Sequence, residues 1–237
     1  MATVWVAWSA PSASPALANL LDGVERTRLE RLRSAEDRAR YVVAHALLRI
    51  MVGSHLGCPP ERIALSATCH RCGGPHGRPR LVSRAREPSL HLSLAHAGAR
   101  VVAAVSTAGP VGVDVDVEAA TGFAGFDAVA LAATESAAVA RMPSRRRPAA
   151  RVTAWVRKEA VLKATGDGLR VPPGDVVVSP LGEPPRLLSW DAAPPGVHLH
   201  DVDVAARRHA ACVGVVAALR PEFLVSCGEA LLGGVGG

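Results

Sequence analysis

Hydrophobic positions change period several times along this chain, and each change predicts an element. Across residues 36–56 the apolar side chains Val43, Ala46, Leu47, Ile50 and Met51 recur at the 3.6-residue spacing of one helix face. Gly57 ends that helix and Pro59-Pro60 prevents it from restarting. Residues 24–33 are charged and helical, and residues 123–141 and 149–164 read as two further helices with a Pro/Arg loop between them. Period two marks the strands. Residues 3–8 open the chain as one, 90–94 and 100–106 follow around a turn at Ala97-Gly98, and 111–117 alternate strictly after the break at Ala108-Gly109-Pro110. Residues 68–80 form a Gly/Pro-rich turn region. Strands are expected at 176–179, 186–190, 197–204 and 211–219, and residues 232–237 read as a loose tail.

The two halves repeat one order: a long helix, a glycine stop, then strands. They meet near Gly109. The fold class expected is therefore α+β, a pseudo-twofold duplication of two similar α+β lobes with the active site in the cleft between them. The N-terminal lobe would span 1–108, the C-terminal lobe 109–230, and a flexible tail 231–237. Short-period repeats are absent.

Composition narrows the classes. Of the 237 residues 49% are hydrophobic, enough for a substantial core, and with only 3% aromatics Ala and Val must fill it. The net charge of +6 suits an acidic partner. A nucleic-acid module would interleave basic with aromatic residues or carry a known motif, and one tyrosine and three phenylalanines do not supply that. The basic triplet Arg145-Arg146-Arg147 between prolines reads as a solvated loop. The longest uncharged apolar run, residues 101–113, is broken by Gly109-Pro110 and too short to span a bilayer. The first 20 residues lack a basic start and a continuous apolar core, so no secretory signal is expected. Five cysteines without a regular framework fit a reducing cytoplasm.

Chemistry concentrates in two places. Only two of the 27 basic residues are lysines, and both lie in Trp155-Val-Arg-Lys158-Glu159-Ala-Val-Leu-Lys163-Ala-Thr-Gly166-Asp-Gly168-Leu169. An ammonium can shift its pKa and pass a proton, which a guanidinium does not do at ordinary pH, so two lysines flanking one glutamate point to chemistry. Trp155, Glu159 and Lys163 form one helix stripe, and Lys158 sits about 100° round from it. The second place is Gly112-Val-Asp114-Val-Asp116-Val-Glu118, where three carboxylates share one strand face and the valines the other. Such oxygens suit Mg²⁺ with phosphates as further ligands, or else a solvated edge strand.

These motifs resemble the Sfp-type 4'-phosphopantetheinyl transferases. The resemblance rests on Gly-Val-Asp-Val-Asp paired with Trp-x-x-Lys-Glu-Ala-x-x-Lys-x-x-Gly-x-Gly-Leu. It extends to Glu36-Asp37-Arg38-Ala39-Arg40, Gly77-Arg78-Pro79 and Leu92-Ser93-Leu94-Ala95-His96, and so covers about residues 28–169. It implies a pseudo-dimer of two α+β lobes. It further implies an Mg²⁺-dependent enzyme that moves the phosphopantetheine arm of coenzyme A onto a serine of an apo acyl or peptidyl carrier protein, releasing adenosine 3',5'-bisphosphate.

By that resemblance Asp114, Asp116 and Glu159 hold Mg²⁺, with Glu118 as substitute if the register moves by one pair. Glu159 also helps to deprotonate the carrier serine, and Lys163 stabilises or protonates the departing phosphate. Lys158 and His96 bind phosphate, and Arg28, Arg40 and Arg78 take the 3'-phosphate and adenine end. Ala95 stands where relatives carry a serine, which removes one hydroxyl contact. Cys69-His70-Arg71-Cys72, with His76, is half of a zinc signature, and it reads instead as a turn delivering Arg78. A monomer is expected, since a duplication supplies both sides of the cleft. The competing classes are a basic nucleic-acid-binding module and a carrier-binding module without catalysis; the intact Asp114, Glu159 and Lys163 set argues against the second.

Overall fold

A computed structural model of the chain describes residues 2–69, 72–75, 77–82 and 89–234. The chain opens with β1 (Thr3–Ser9) and two short helices, α1 (Pro15–Ala18) and α2 (Gly23–Glu30). The long α3 (Ala35–Leu56) follows. Ser34 caps it, its hydroxyl accepting from Asp37 N, and Gly57 closes it at φ +61°, a left-handed turn that costs glycine nothing. The short strands β2 (Leu65–Ser66) and β3 (Arg80–Leu81) flank the Gly/Pro-rich region, and β4 (His91–Ala97) and β5 (Arg100–Ser106) form the predicted hairpin.

The second half begins with β6 (Val111–Val117). The helix expected over 123–141 is two, α4 (Phe126–Ala130) and α5 (Ala133–Arg141), because Leu131 and Ala132 are extended. Then come α6 (Arg147–Thr165), closed by Gly166 at φ +84°, the ribbon β7 (Val177–Val178) with β8 (Leu187–Ser189), and the pair β9 (Val197–Asp201) and β10 (His209–Val216). The chain ends with β11 (Glu222–Cys227) and α7 (Glu229–Gly233).

The architecture is α+β in four layers: α3, a six-stranded sheet β11-β1-β5-β4-β3-β2, a three-stranded sheet β6-β10-β9, and α6. Alternation explains the layering. On β5, Val101, Ala103 and Val105 face the α3 core, while Val102 and Ala104 face the core between the sheets. On β6, Val111, Val113 and Val115 point into that central core with Val213 and Val215 of β10. Its other face lies under α6. The apolar stripe read from the sequence on α3 is buried throughout.

Both units run strand, long helix, strand, strand, and in both the last strand is central: β1-β5-β4 and β6-β10-β9. Two further assignments differ from the sequence reading. β11 pairs parallel to β1, so residues 222–227 complete the first unit's sheet rather than the second's. Residues 231–234 are not loose tail, since Leu231 and Leu232 belong to α7 and Leu232 packs on the α3 core. A strand over 222–227 escapes pattern reading because its exposed alternation carries little contrast.

Candidate active site

Strand β6 and helix α6 bring the acidic and lysine motifs face to face. Gly112 lets them meet, as Gly214 does for the neighbouring β10: a Cβ at Gly112 would strike the Ala160 carbonyl and the Ala164 nitrogen of the helix backbone. The carboxylate face of β6 is therefore no solvated edge. Asp114 is buried and receives the Lys163 ammonium on Oδ1 at 2.6 Å, while Lys163 Nζ also donates to the Val113 carbonyl at 3.2 Å. Burial raises the Asp114 pKa and Lys163 opposes the rise.

Glu159 lies one turn before Lys163 and is only 9% exposed. Its Oε1 is buried with no hydrogen-bond partner among the described residues. Burial, then the charges of Asp114 and Asp116, push its pKa up to about 7, with Lys163 pulling the other way. Asp116 is half-buried and its Oδ1 accepts from Val117 N at 2.8 Å. Glu118 has left the strand and opens a short 3-10 turn (Glu118–Thr121), so it no longer shares a face with Asp114.

A cleft of about 400 Å³ opens beside Lys163 and draws on both units. Arg28, Tyr41 and His45 line it from α2 and α3, Gly77-Arg78-Pro79 from the loop before β3, and Ser93 and His96 from β4. His96 stands at its mouth; loss of solvent around the ring, then the charges of Arg40, His45 and Lys163, lower its pKa. Arg28 donates to the Pro75 carbonyl at 2.9 Å and lies 6.0 Å from the Tyr41 ring centre.

Three predicted ligand residues are placed otherwise. Lys158 is fully buried on another side of α6, its ammonium held by Glu135 and by the Pro173 carbonyl at 2.9 Å; the 100° that separates it from Glu159 carries it away from the cleft. Arg78 lines the cleft, but its Nη2 donates to the Val111 carbonyl at 2.7 Å and its Nη1 to the Ala164 carbonyl at 3.2 Å, so it ties the first unit's loop to β6 and α6. Arg40 donates to the Gly98 carbonyl and to Asp37, at 2.9 and 2.6 Å. His70 and His76 of the half zinc signature lie outside the described residues.

Sequence reasoning missed the polar stripe Tyr41, His45 and Arg49. Its signal was there, polar residues at i, i+4 and i+8 interrupting an apolar helix. Tyr41 stacks on His45 with ring centres 4.1 Å apart, and His45 Nδ1 meets Glu25 at 2.7 Å. Buried Arg49 binds Glu25 and Asp22. Burial alone would raise the Glu25 carboxyl, but His45, Arg49 and the Asp22 backbone hold it at about 2. Ser93 was also missed as a structural tie: its Oγ accepts from Val113 N at 3.0 Å and stitches β4 to the acidic strand.

Among the described residues no three His, Cys, Asp or Glu side chains converge as a ready metal cage. Mg²⁺ does not require one, since it commonly takes one or two carboxylates plus substrate phosphates and waters. Asp114 and Glu159, with an orphaned buried oxygen between repelling carboxylates, fit such an ion. A larger groove, about 600 Å³, is lined by Glu118, Arg151, Arg207, Arg208 and His209 but includes none of Asp114, Glu159 and Lys163. Among the described residues no helix is long and apolar enough to cross a membrane.

Residues 110–213, which contain both motifs, match the family model of the 4'-phosphopantetheinyl transferase superfamily. A protein of Synechocystis sp. named "Putative 4'-phosphopantetheinyl transferase" is 29% identical over 68% of this chain and 65% of its own length. The 4'-phosphopantetheinyl transferase HetI of Nostoc sp. is 28% identical over 65% of this chain and 62% of its own. The chain thus spans just under two thirds of the length of these relatives.

Proposed function

We propose that this chain is a member of the 4'-phosphopantetheinyl transferase superfamily and moves the phosphopantetheine arm of coenzyme A onto a serine of an apo acyl or peptidyl carrier protein. The other product is adenosine 3',5'-bisphosphate. The observation that carries this reading is the meeting of Asp114, Glu159 and Lys163 at the edge of a cationic cleft. Arg28 and His96 line the same cleft and suit the phosphates of the nucleotide, with the Tyr41–His45 stack beside them. Asp114 and Glu159 would hold Mg²⁺, with Asp116 nearby, and the ion would neutralise diphosphate charge.

Glu159, whose Oε1 has no hydrogen-bond partner among the described residues, is placed to take the proton of the attacking serine, directly or through a water. Lys163 reaches both the buried carboxylate and the cleft, and is suited to stabilise the departing phosphate. Transfer by positioning and charge neutralisation needs no covalent enzyme intermediate. Arg207 and Arg208 line the groove beyond Glu118 and would meet an acidic carrier face. We also read the repeated connectivity of the two units as an internal duplication, and the protein as a cytoplasmic monomer.

The test is intact mass of an apo carrier protein incubated with the enzyme, coenzyme A and Mg²⁺. A gain of about 340 Da, one covalently attached phosphopantetheine arm, is expected. No gain on several carriers, together with no binding of coenzyme A, would overturn the reading.

A further inference from the structure

Lys163 occupies a position with two demands on it. Its ammonium compensates Asp114, whose carboxylate is buried and, among the described residues, has Lys163 as its one ion-pair partner. It also lines the open cleft, and its side chain keeps 31% exposure on a flexible four-carbon stem. Glu159 precedes it by one helical turn on the same face of α6, and among the described residues nothing hydrogen-bonds Glu159 Oε1. Any cation held by Asp114 and Glu159 therefore lies close to this ammonium, and like charges at such range repel strongly in a dry setting.

We infer that Lys163 is the resident counter-cation of the Asp114–Glu159 pair and competes with a divalent ion for Asp114. The inference rests on the metal role proposed above. When the ion enters, Lys163 leaves Asp114 for the cleft. The diphosphate of coenzyme A supplies its next partner there. Metal alone is then bound weakly, and metal and coenzyme A reinforce one another, each by the same factor. The arrangement keeps the carboxylates compensated before substrate arrives and delivers the lysine to phosphate only once the ion is in place.

The test uses Mn²⁺ as the probe, titrated calorimetrically into the full chain in phosphate-free buffer, first alone and then with saturating coenzyme A and no carrier. Lys163→Met is expected to bind Mn²⁺ alone at least about tenfold more tightly than the wild type, since a repelling charge has gone. Lys163→Gln, run in parallel in case the methionine variant folds poorly, should match it. Lys163→Arg should stay near the wild-type value. The enhancement of Mn²⁺ affinity by coenzyme A should shrink in the two neutral variants. Equal or weaker Mn²⁺ binding in both neutral variants, with circular dichroism showing them folded, overturns the competition while leaving the metal site standing. No Mn²⁺ binding by any protein, with or without coenzyme A, overturns the metal role of Asp114 and Glu159 and the inference with it.

Discussion

Glu159→Gln should make the protein more stable at alkaline pH while abolishing transfer. The wild-type carboxyl has an ordinary pKa of 4.5 and is pushed up to about 7 in the fold. The folded state thus binds its proton more tightly than the unfolded state does. Its contribution to stability is full below pH 4.5 and is lost as pH rises to 7 and beyond. At about 1.4 kcal/mol per tenfold, ionised Glu159 costs the fold about 3 kcal/mol above pH 8. Glutamine has nearly the same shape and no charge, and no hydrogen bond to Oε1 is there to lose. In a domain of this size about 3 kcal/mol corresponds to roughly 6–12 °C in Tm. The assay is thermal and urea denaturation without divalent ions, at pH 5 and pH 8.5. The gain should appear at pH 8.5 and nearly vanish at pH 5. An equal gain at both pH values, or none at pH 8.5, would refute the account of Glu159 as a repelled buried carboxylate.

The other expectations concern the supports of the site. Lys158→Met leaves Glu135 buried without its cation and should destabilise the chain by about 3 kcal/mol in urea unfolding, with Glu135→Gln added recovering part of it. Affinity for coenzyme A should be unchanged in Lys158→Met; a selective loss of affinity at full stability would instead make Lys158 a ligand. Gly112→Ala drives a Cβ into the α6 backbone and should cost more than about 3 kcal/mol or eliminate transfer where the fold survives, which thermal melts and carrier mass will show. Glu25, held at about 2, stabilises the fold above pH 4.5 and loses that contribution as pH falls towards 2. Glu25→Gln should therefore flatten the acid branch of a pH–stability curve, and an unchanged acid branch would count against the His45–Glu25–Arg49 cluster as its source.

Much of the candidate site's local geometry is legible in the sequence. Asp114, Glu159 and Lys163 carry their own spacing, because strand alternation and helical periodicity fix which side chains share a face. The same rule set the α3 stripe and the valine face of β6, both of which the structure buries. Other candidate residues sit where the sequence alone does not place them, because their partners come from distant segments. Lys158 and Lys163 look equally available in the sequence, yet one is sealed against Glu135 and the other opens to the cleft. Arg78 carries the charge of a phosphate ligand, but nothing nearby in sequence reveals that the Val111 and Ala164 carbonyls will take its guanidinium.

What the sequence by itself determined is relative orientation within an element: Glu159 with Lys163 on one stripe, Asp114 opposite Val113 and Val115, helix stops at Gly57 and Gly166. These follow from local backbone geometry, which depends on neighbours a few residues away. What only the tertiary structure decided is absolute direction. It turned the acidic face of β6 under α6 rather than towards water, raised the Glu159 carboxyl to a pKa of about 7, and returned β11 to the first sheet. Those outcomes depend on desolvation and on partners far away in the chain, as with Lys163 and Asp114, and burial by a distant element leaves no periodic trace in the segment it covers.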